Sequence, residues 1–185
     1  MFIQTEQTPN PLSLKFIPGC EVMLRGTAEF TSGDGTDASP LAQKLFAITG
    51  ITGVFFTTDF VTVTKDEQTD WNTLKTEVMG ALVEHFATGQ PVMADEHIAQ
   101  DAHTASDDDD DVVKQIKEIL DTRIRPAVAA DGGDIVFHGF ENGVVLLQMR
   151  GACAGCPSST VTLKNGIENL LKHFIPEVNE VRAIN

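Results

Sequence analysis

A strongly acidic stretch with almost no apolar content divides the chain. Residues 94–111, ADEHIAQDAHTASDDDDD, contain one large aliphatic residue, Ile98, and end in five consecutive aspartates. Such a segment buries too little apolar surface to fold alone, and its like charges favour extended conformations. A calcium loop is the alternative, but the alternating ligands and the turn glycine of such a loop are missing. The sequence therefore predicts a flexible acidic linker between two small domains, residues 1–93 and 112–185.

The net charge of −14 is unevenly distributed along the chain. Residues 1–94 carry 11 acidic and 5 basic side chains, residues 95–111 carry 8 acidic and none basic, and residues 112–185 carry 8 of each. This acidity disfavours binding to nucleic acid. No apolar run is long enough to cross a bilayer. We therefore expect neither a nucleic-acid partner nor a membrane partner.

The N-terminal residues MFIQTEQTPNPLSLKF do not have the pattern of a targeting segment. They lack a basic region followed by an apolar run, and they carry Glu6 with a single lysine, unlike a transit peptide. Three cysteines in such a chain indicate metal ligands or redox groups rather than a disulfide framework. We expect a cytoplasmic protein of bacterial type, with the trimmed, mature form of a mitochondrial matrix protein as the alternative.

Residues 1–93 show strand and helix patterns in alternation. FIQTEQT, SLKFI and EVMLRGTAEF are strand candidates, and GVFFTTDFVTVTK is typical of a hairpin. One short helix is predicted after Ser39 as N-cap, and a longer one between Asp70 and Gly89. The longer helix carries an apolar stripe of Trp71, Leu74, Val78, Leu82 and Phe86. This order predicts a mixed sheet backed by helices.

Residues 112–185 have a simpler pattern. A helical stripe up to the ADGGD segment consists of Val112, Val113, Ile116, Ile119, Leu120, Ile124 and Val128. DIVFHGFENGVVLLQM then reads as a hairpin that turns at Asn142–Gly143. A second amphipathic helix, SSTVTLKNGIENLLKHF, and a short strand, EVNEVRAI, follow. The prediction is therefore an α+β protein of two small domains, the second ordered helix, strand, strand, helix, strand.

GACAGCPSST, residues 151–160, holds two of the three cysteines, Cys153 and Cys156, where a strand ends and a helix begins. Pro157 suits a first helical turn. Thiols just before a helix are near its unsatisfied N–H groups, which favour the thiolate. The flanking glycines allow a tight, exposed turn that brings both thiols to one side. The pattern therefore predicts that this loop binds a ligand through Cys153 and Cys156.

Three kinds of site use two thiols at this spacing. A dithiol oxidoreductase usually has Gly-Pro between its cysteines and a parallel crossover around them, whereas here the pair is Ala-Gly after a hairpin. A structural zinc needs four ligands, and the other candidates, His138 and His173, lie at irregular spacing. An iron–sulfur cluster also prefers four thiolates. If the ligand is a cluster, two chains must each contribute Cys153 and Cys156.

Two other features are interpreted as having no part in ligand binding. ADGGD, residues 130–134, is predicted to end a helix and to turn the chain into the hairpin, because Gly132 and Gly133 can adopt left-handed backbone conformations. Binding of iron by its carboxylates is disfavoured, because carboxylates are hard ligands that suit thiophilic iron poorly. Cys20 follows Pro18–Gly19 in a predicted loop and matches no ligand spacing, so we interpret it as an isolated thiol.

The segment IRPAVAADGGDIVFHGFENGVVLLQMRGACAGCPSSTVTLKNGIENLLKHFIPEV strongly resembles the C-terminal domain of NifU-like proteins, the Nfu iron–sulfur carriers. FIQTEQTPNPLSLKFIPG is similar to the N-terminal domain of the same family. The resemblance implies a non-enzymatic scaffold or carrier whose homodimer holds a 4Fe–4S cluster through Cys153 and Cys156. A 2Fe–2S cluster is the alternative. It also implies receipt from an upstream iron–sulfur assembly scaffold and transfer to apo-enzymes such as lipoyl synthase or aconitase.

Overall fold

The computed structural model describes residues 2–94 and 110–184, which form two compact units, one within residues 1–100 and one within residues 101–185. The predicted α+β class is confirmed, since both units combine helices with a sheet. Most of the predicted acidic linker, residues 95–109, lies outside the described residues. The domain boundaries inferred from the sequence therefore stay predictions. Within the described residues, no helix is long and apolar enough to cross a membrane.

The first unit is a five-stranded sheet covered on one face by two helices. Its elements are β1 (Gln4–Gln7), β2 (Ser13–Ile17), β3 (Ala28–Thr31), α1 (Pro40–Phe46), β4 (Ile51–Phe56), β5 (Val61–Lys65) and α2 (Trp71–Thr88). The strand order is β1-β2-β5-β4-β3. Leu14 pairs with Val63, and Phe16 pairs with Val61. Because side chains alternate across a strand, this register places all four in the core beneath the helices.

Side-chain caps set the helix boundaries that the sequence predicts. The hydroxyl of Ser39 accepts a hydrogen bond from Ala42 N at 3.0 Å and donates one to Val92 O at 2.6 Å. The carboxylate of Asp70 accepts from Asn72 N at 2.6 Å and opens α2, which ends at Gly89 with φ 64°. Each cap satisfies a backbone N–H that has no partner within its helix.

Two expectations for this unit need correction. Only the end of EVMLRGTAEF forms a strand, Ala28–Thr31. Every strand pairing of this sheet among the described residues is antiparallel, so the mixed sheet expected here is not observed. The β1–β2 and β4–β5 pairs are hairpins, which are antiparallel by construction, and β3 and β4 are antiparallel although α1 lies between them.

The second unit has the predicted element order. It consists of α3 (Asp111–Ile119), a π-helical turn (Leu120–Ile124), α4 (Arg125–Ala130), β6 (Gly133–Glu141), β7 (Val144–Gly151), α5 (Pro157–Phe174) and β8 (Glu180–Ile184). Asn142 and Gly143 have φ values of 52° and 79°, as a tight two-residue hairpin requires. β6 and β7 are antiparallel, whereas β7 and β8 are parallel because α5 crosses between them. The mixed sheet therefore lies in this unit.

The π-helical turn was not predicted. The N–H of Arg125 donates to Leu120 O, five residues back, and Pro126 has no N–H to donate. Buried apolar side chains recur here every four residues, at Ile116, Leu120, Ile124 and Val128. An α-helix repeats every 3.6 residues, so the wider turn keeps this stripe directed at the core.

We predict that each unit folds by itself, since each has its own apolar core. Residues 1–94 and residues 95–185, expressed separately, should each give a helical and sheet-like circular dichroism spectrum and a cooperative thermal transition. A fragment that is unfolded alone and gains structure only when the other is added would contradict this.

A buried histidine lies in the core of the first unit. His85 has an exposed fraction of 0%, and neither ring nitrogen has a hydrogen-bond partner among the described residues. It follows Leu82 by three residues and so extends the apolar stripe of α2. Burial, followed by the charge of Lys44, lowers the pKa of His85, and the backbone of Gln90 and Pro91 opposes this only in part.

We predict that acid destabilises the first unit through His85. The unfolded chain takes up a proton below about pH 6.5, whereas the folded chain keeps His85 neutral to lower pH, so the free energy of unfolding falls as pH falls. The slope for one proton is at most about 1.4 kcal/mol per pH unit. In denaturant titrations at pH 7.5 and pH 5, His85→Leu should lose less stability than the parent. His138→Gln is the control, at an exposed histidine of the second unit. The first unit of this variant should lose as much free energy of unfolding between pH 7.5 and pH 5 as the parent does. An equal loss in His85→Leu and the parent would refute the prediction.

Candidate thiol site

The two cysteines of the second unit lie in a short loop between β7 and α5, as predicted. β7 ends at Gly151, and Cys156 is the N-cap residue of α5, with φ −107° and ψ 105°. Pro157 is the first helical residue, where its missing N–H leaves no intrahelical bond unmade. The change from strand to helix therefore occurs within the five residues that contain both thiols.

Backbone and side-chain hydrogen bonds hold this loop in place. Ala152 N donates to Gly132 O at 3.1 Å, which joins the loop to the residues after α4. The hydroxyl of Thr160, in the first turns of α5, donates to Cys153 O at 2.9 Å. Sequence reasoning missed Thr160, because its partner lies seven residues back, beyond the local side-chain-to-backbone patterns. The loop is therefore fixed from both sides.

The two thiols differ in depth. Cys153 belongs to the apolar core of the unit and has an exposed fraction of 8%, whereas Cys156 is half-buried. The Sγ atom of Cys156 lies 3.4 Å from the hydroxyl of Ser158, at the exposed start of α5. The expectation of an exposed loop is therefore wrong for Cys153, because the loop folds back over the start of β6.

The protonation of Cys153 also differs from expectation. Burial, followed by the negative charges of Asp131 and Asp134, raises the pKa of the Cys153 thiol to about 12. The N-terminus of α5 was expected to favour the thiolate, but desolvation of a buried charge outweighs that effect at this position. In the absence of a cation, Cys153 is a neutral thiol at physiological pH.

Gly133 allows the close approach of β6 to the loop. It pairs with Gly151, and a β-carbon built on it would lie 2.5 Å from Cys153 Sγ and 2.7 Å from Arg150 O. Carbon does not approach sulfur or oxygen this closely, so only glycine fits. Gly132 has φ 79° and turns the chain after α4, as predicted, while Gly133 is already part of the strand. Small residues at 132–133 and at 151–152 were the available sequence signal for this contact.

Asp134 forms a buried ion pair beside the loop. Its two carboxylate oxygens accept from Arg125 Nε and Nη2 at 3.0 and 3.1 Å, and Asp121 Oδ1 lies 3.4 Å from Arg125 Nη1. The carboxylate side chain is 7% exposed. A two-point contact of this kind fixes the relative position of α4 and β6. Asp134 of ADGGD therefore has a structural partner, in keeping with the interpretation from the sequence.

The other candidate ligands belong to other elements of the chain. Cys20 is a half-buried free thiol in the first unit. His138 contacts the Gln148 side chain at 3.3 Å, and the His173 ring packs edge-on against Phe174. Within residues 2–94 and 110–184, no three His, Cys, Asp or Glu side chains come together as a metal-binding group. Two soft sulfur donors are therefore what this site offers a metal, and a thiophilic ion is the class that they suit.

Models of two protein families match the chain. The model described as scaffold protein Nfu/NifU N terminal matches residues 3–89, and the model described as NifU-like domain matches residues 116–182. Among solved structures, the NifU-like protein from Saccharomyces cerevisiae is 30% identical, with a TM-score of 0.47 over 52% of this chain and 87% of that chain. Protein SAV1430 from Staphylococcus aureus is 20% identical, with a TM-score of 0.40 over 44% of this chain and 99% of that chain.

Curated relatives align with the whole chain. The protein named NFU1 iron-sulfur cluster scaffold homolog, mitochondrial, from Drosophila persimilis is 51% identical over 185 residues, and this chain spans 65% of its length. The relative of the same name from Homo sapiens is 50% identical over 185 residues, and this chain spans 72% of its length. With this identity along its full length and with both domain models matched, the chain belongs to the NFU1 iron–sulfur cluster scaffold family.

Proposed function

We propose that this protein is a non-enzymatic carrier that binds a 4Fe–4S cluster through Cys153 and Cys156 of two copies and transfers it to apo-proteins. A 2Fe–2S cluster is the alternative cargo. The observation that supports this proposal is the loop itself, which supplies two thiols from adjacent positions of the fold and no third ligand within the described residues. Membership of the scaffold family agrees with it.

The number of thiols leads to the proposed dimer. A cluster prefers four thiolates, and each chain offers two at this loop. Two copies related by a two-fold axis would supply the complete set with the same surface of each chain. The cluster-bound form is then a homodimer, whereas the apo protein has no cluster to join two chains.

Binding and release are ligand exchange without electron transfer. Each cysteine loses its thiol proton to solvent when its sulfur bonds to iron, and the positive charge of iron compensates the burial that keeps the Cys153 thiol neutral. On transfer, thiolates of the acceptor replace the four carrier thiolates, which take up protons again. The oxidation state of the cluster is unchanged, so the carrier needs no further cofactor.

The competing proposal is a dithiol oxidoreductase that uses the same cysteine pair. Thiol–disulfide exchange requires an accessible thiolate. Cys153 is buried, and its pKa is raised to about 12. Exchange would therefore have to begin at half-buried Cys156, and the Ala-Gly pair between the cysteines differs from the usual Gly-Pro, so the carrier is favoured.

The proposed partners follow from the family resemblance. An upstream assembly scaffold would supply the cluster, and apo-enzymes such as lipoyl synthase or aconitase would receive it, with no nucleic-acid or membrane partner. Three free thiols suit a reducing compartment. We propose the cytoplasm of bacterial type from the sequence, with the mitochondrial matrix, which the names of the relatives indicate, as the alternative.

Replacing either loop cysteine should abolish cluster binding. After anaerobic reconstitution, Cys153→Ala, Cys153→Ser and Cys156→Ser should retain almost no iron or sulfide, because only two of four thiolates remain in a dimer. Cys20→Ser should load normally. Mössbauer spectra distinguish 4Fe–4S from 2Fe–2S in the parent, and native mass spectrometry counts the chains per cluster. A normal cluster in a loop variant, or a cluster held by a monomer, would overturn the proposal.

The same variants should differ in stability. Cys153→Ser places a hydroxyl in the apolar core and should destabilise the second unit by about 1–3 kcal/mol. Cys156→Ser, at a half-buried position, should change the free energy of unfolding by less than about 0.5 kcal/mol. Cys153→Ala separates ligand loss from the burial of a polar group. Denaturant titrations of the apo proteins measure these values, and equal losses for Cys153→Ser and Cys156→Ser would contradict the difference in depth.

Gly133→Ala should displace the Cys153 thiol and so reduce cluster loading. The added methyl group meets Sγ at 2.5 Å and backbone atoms of the loop, with a cost of about 1–3 kcal/mol in stability. Gly139→Ala, in the same strand, is the matched control because a β-carbon there meets nothing within 4 Å. Thermal unfolding of the apo proteins and iron per chain after reconstitution measure both effects. Normal stability and loading in Gly133→Ala would refute the steric role.

A further inference from the structure

One side of α5 presents an uncharged surface that begins at the thiol loop. We define the α5 face as Ser158, Val161, Thr162, Asn165, Gly166 and Asn169, which recur every three or four residues and are all exposed. Val161 is 56% exposed, an unusual position for a large apolar side chain. Cys156 caps the same helix, so the face continues directly from one of the proposed ligands.

The charged residues of α5 border this face or lie beyond it, and Lys172 follows it by one turn. Lys164 and Glu168 are half-buried, and Glu168 accepts from Val181 N at 3.0 Å while pairing with Lys172 at 2.6 Å. Phe174, the other large exposed apolar side chain described in this unit, lies under the Arg123 guanidinium at 4.8 Å. Other helices differ, since α2 exposes Glu77 and Glu84.

We infer that the α5 face is the surface through which a second copy of this chain packs when the cluster is bound, an inference that rests on the proposed function. Four thiolates from two chains place the two loops within a few ångströms of each other. Because Cys156 caps α5, the first turns of both α5 helices then lie beside the cluster. The surfaces that meet there are the two α5 faces.

Charge explains why a second copy fits this face better than other surfaces. At a two-fold interface, each residue near the axis faces its own counterpart, so any charge there meets a like charge. The chain carries a net charge of −14, so two copies repel each other in most relative orientations. Residues 112–185 carry 8 acidic and 8 basic side chains, and the α5 face carries none. This surface can therefore meet itself without electrostatic cost.

The size of the face is consistent with an association that depends on the cargo. A stable interface usually takes about 20–30 residues from each partner, and six residues provide much less contact area. The α5 face alone therefore leaves the apo protein monomeric, and the dimer forms only when cluster bonds add to the contact. Loss of the cluster then separates the chains.

The test introduces charges of one sign on the full-length protein. Thr162→Glu/Asn165→Glu places two carboxylates on each face, and Thr162→Lys/Asn165→Lys places two cations there. Asn72→Glu/Thr76→Glu is the matched control, since it makes the same replacements at exposed positions of α2. Each protein is reconstituted anaerobically with iron and sulfide, and its dimer dissociation is followed by sedimentation and native mass spectrometry. Circular dichroism checks that each variant is folded.

We expect the Glu pair and the Lys pair each to weaken the cluster-bound dimer at least about tenfold, and an equimolar mixture of the two to restore it as a heterodimer. The α2 control should behave like the parent. Loss without restoration in the mixture would overturn the inference, because the effect would then be structural rather than electrostatic.

Two further outcomes are distinguishable. If the Glu variant dimerises normally but transfers its cluster to an apo-ferredoxin more slowly, the face contacts recipients, and the inference of a second copy is wrong. If the Glu variant is normal in every respect, the inference alone fails and the carrier function stands. If the parent binds no cluster, the proposed function fails, and this inference fails with it.

Discussion

The close approach of Gly133 to Cys153 is the contact on which the second unit depends. The loop after β7 can fold over the start of β6 only because no side chain lies between Gly133 and the Cys153 sulfur. That arrangement allows Gly132 O to accept from Ala152 N, and it brings Cys153 into the apolar core. The position of one thiol is therefore set by a strand pairing, whereas the position of the other is set by the start of a helix.

The surroundings of the buried thiol combine low polarity with negative charge. Asp134 is held by Arg125. Burial tends to lower the pKa of Arg125, but the hydrogen bonds and the charge of Asp134 raise it, and the net shift is upward. The guanidinium of Arg125, a residue of α4, donates hydrogen bonds to the carboxylates of Asp134 and Asp121. A neutral Cys153 is the stable form in this environment, and a bound cation is what makes the thiolate favourable.

Local sequence patterns predicted the elements but not their contacts. The caps at Ser39 and Asp70 and the turn at Asn142–Gly143 depend on neighbouring residues, and the structure agrees with the sequence at each. The depth of Cys153 depends on the pairing of Gly133 with Gly151, 18 positions apart, which no local pattern reveals. The four-residue spacing of apolar residues from Ile116 to Val128 indicated the π-helical turn. The same spacing is also compatible with an ordinary α-helix of 3.6 residues per turn, so the turn was not predicted. His85 lay in register with the stripe of α2 and was passed over because it is polar.

The unequal depth of the two thiols also sets the order in which they react. Any reagent that arrives from water, whether an oxidant, an alkylating agent or the thiol of another protein, meets half-buried Cys156 before it meets Cys153. Reaction at Cys153 is slower, because the hydrogen bonds made by Ala152 and Thr160 hold the loop over Gly133. The loop therefore gives chemically identical side chains a fixed order of encounter, with Cys156 first.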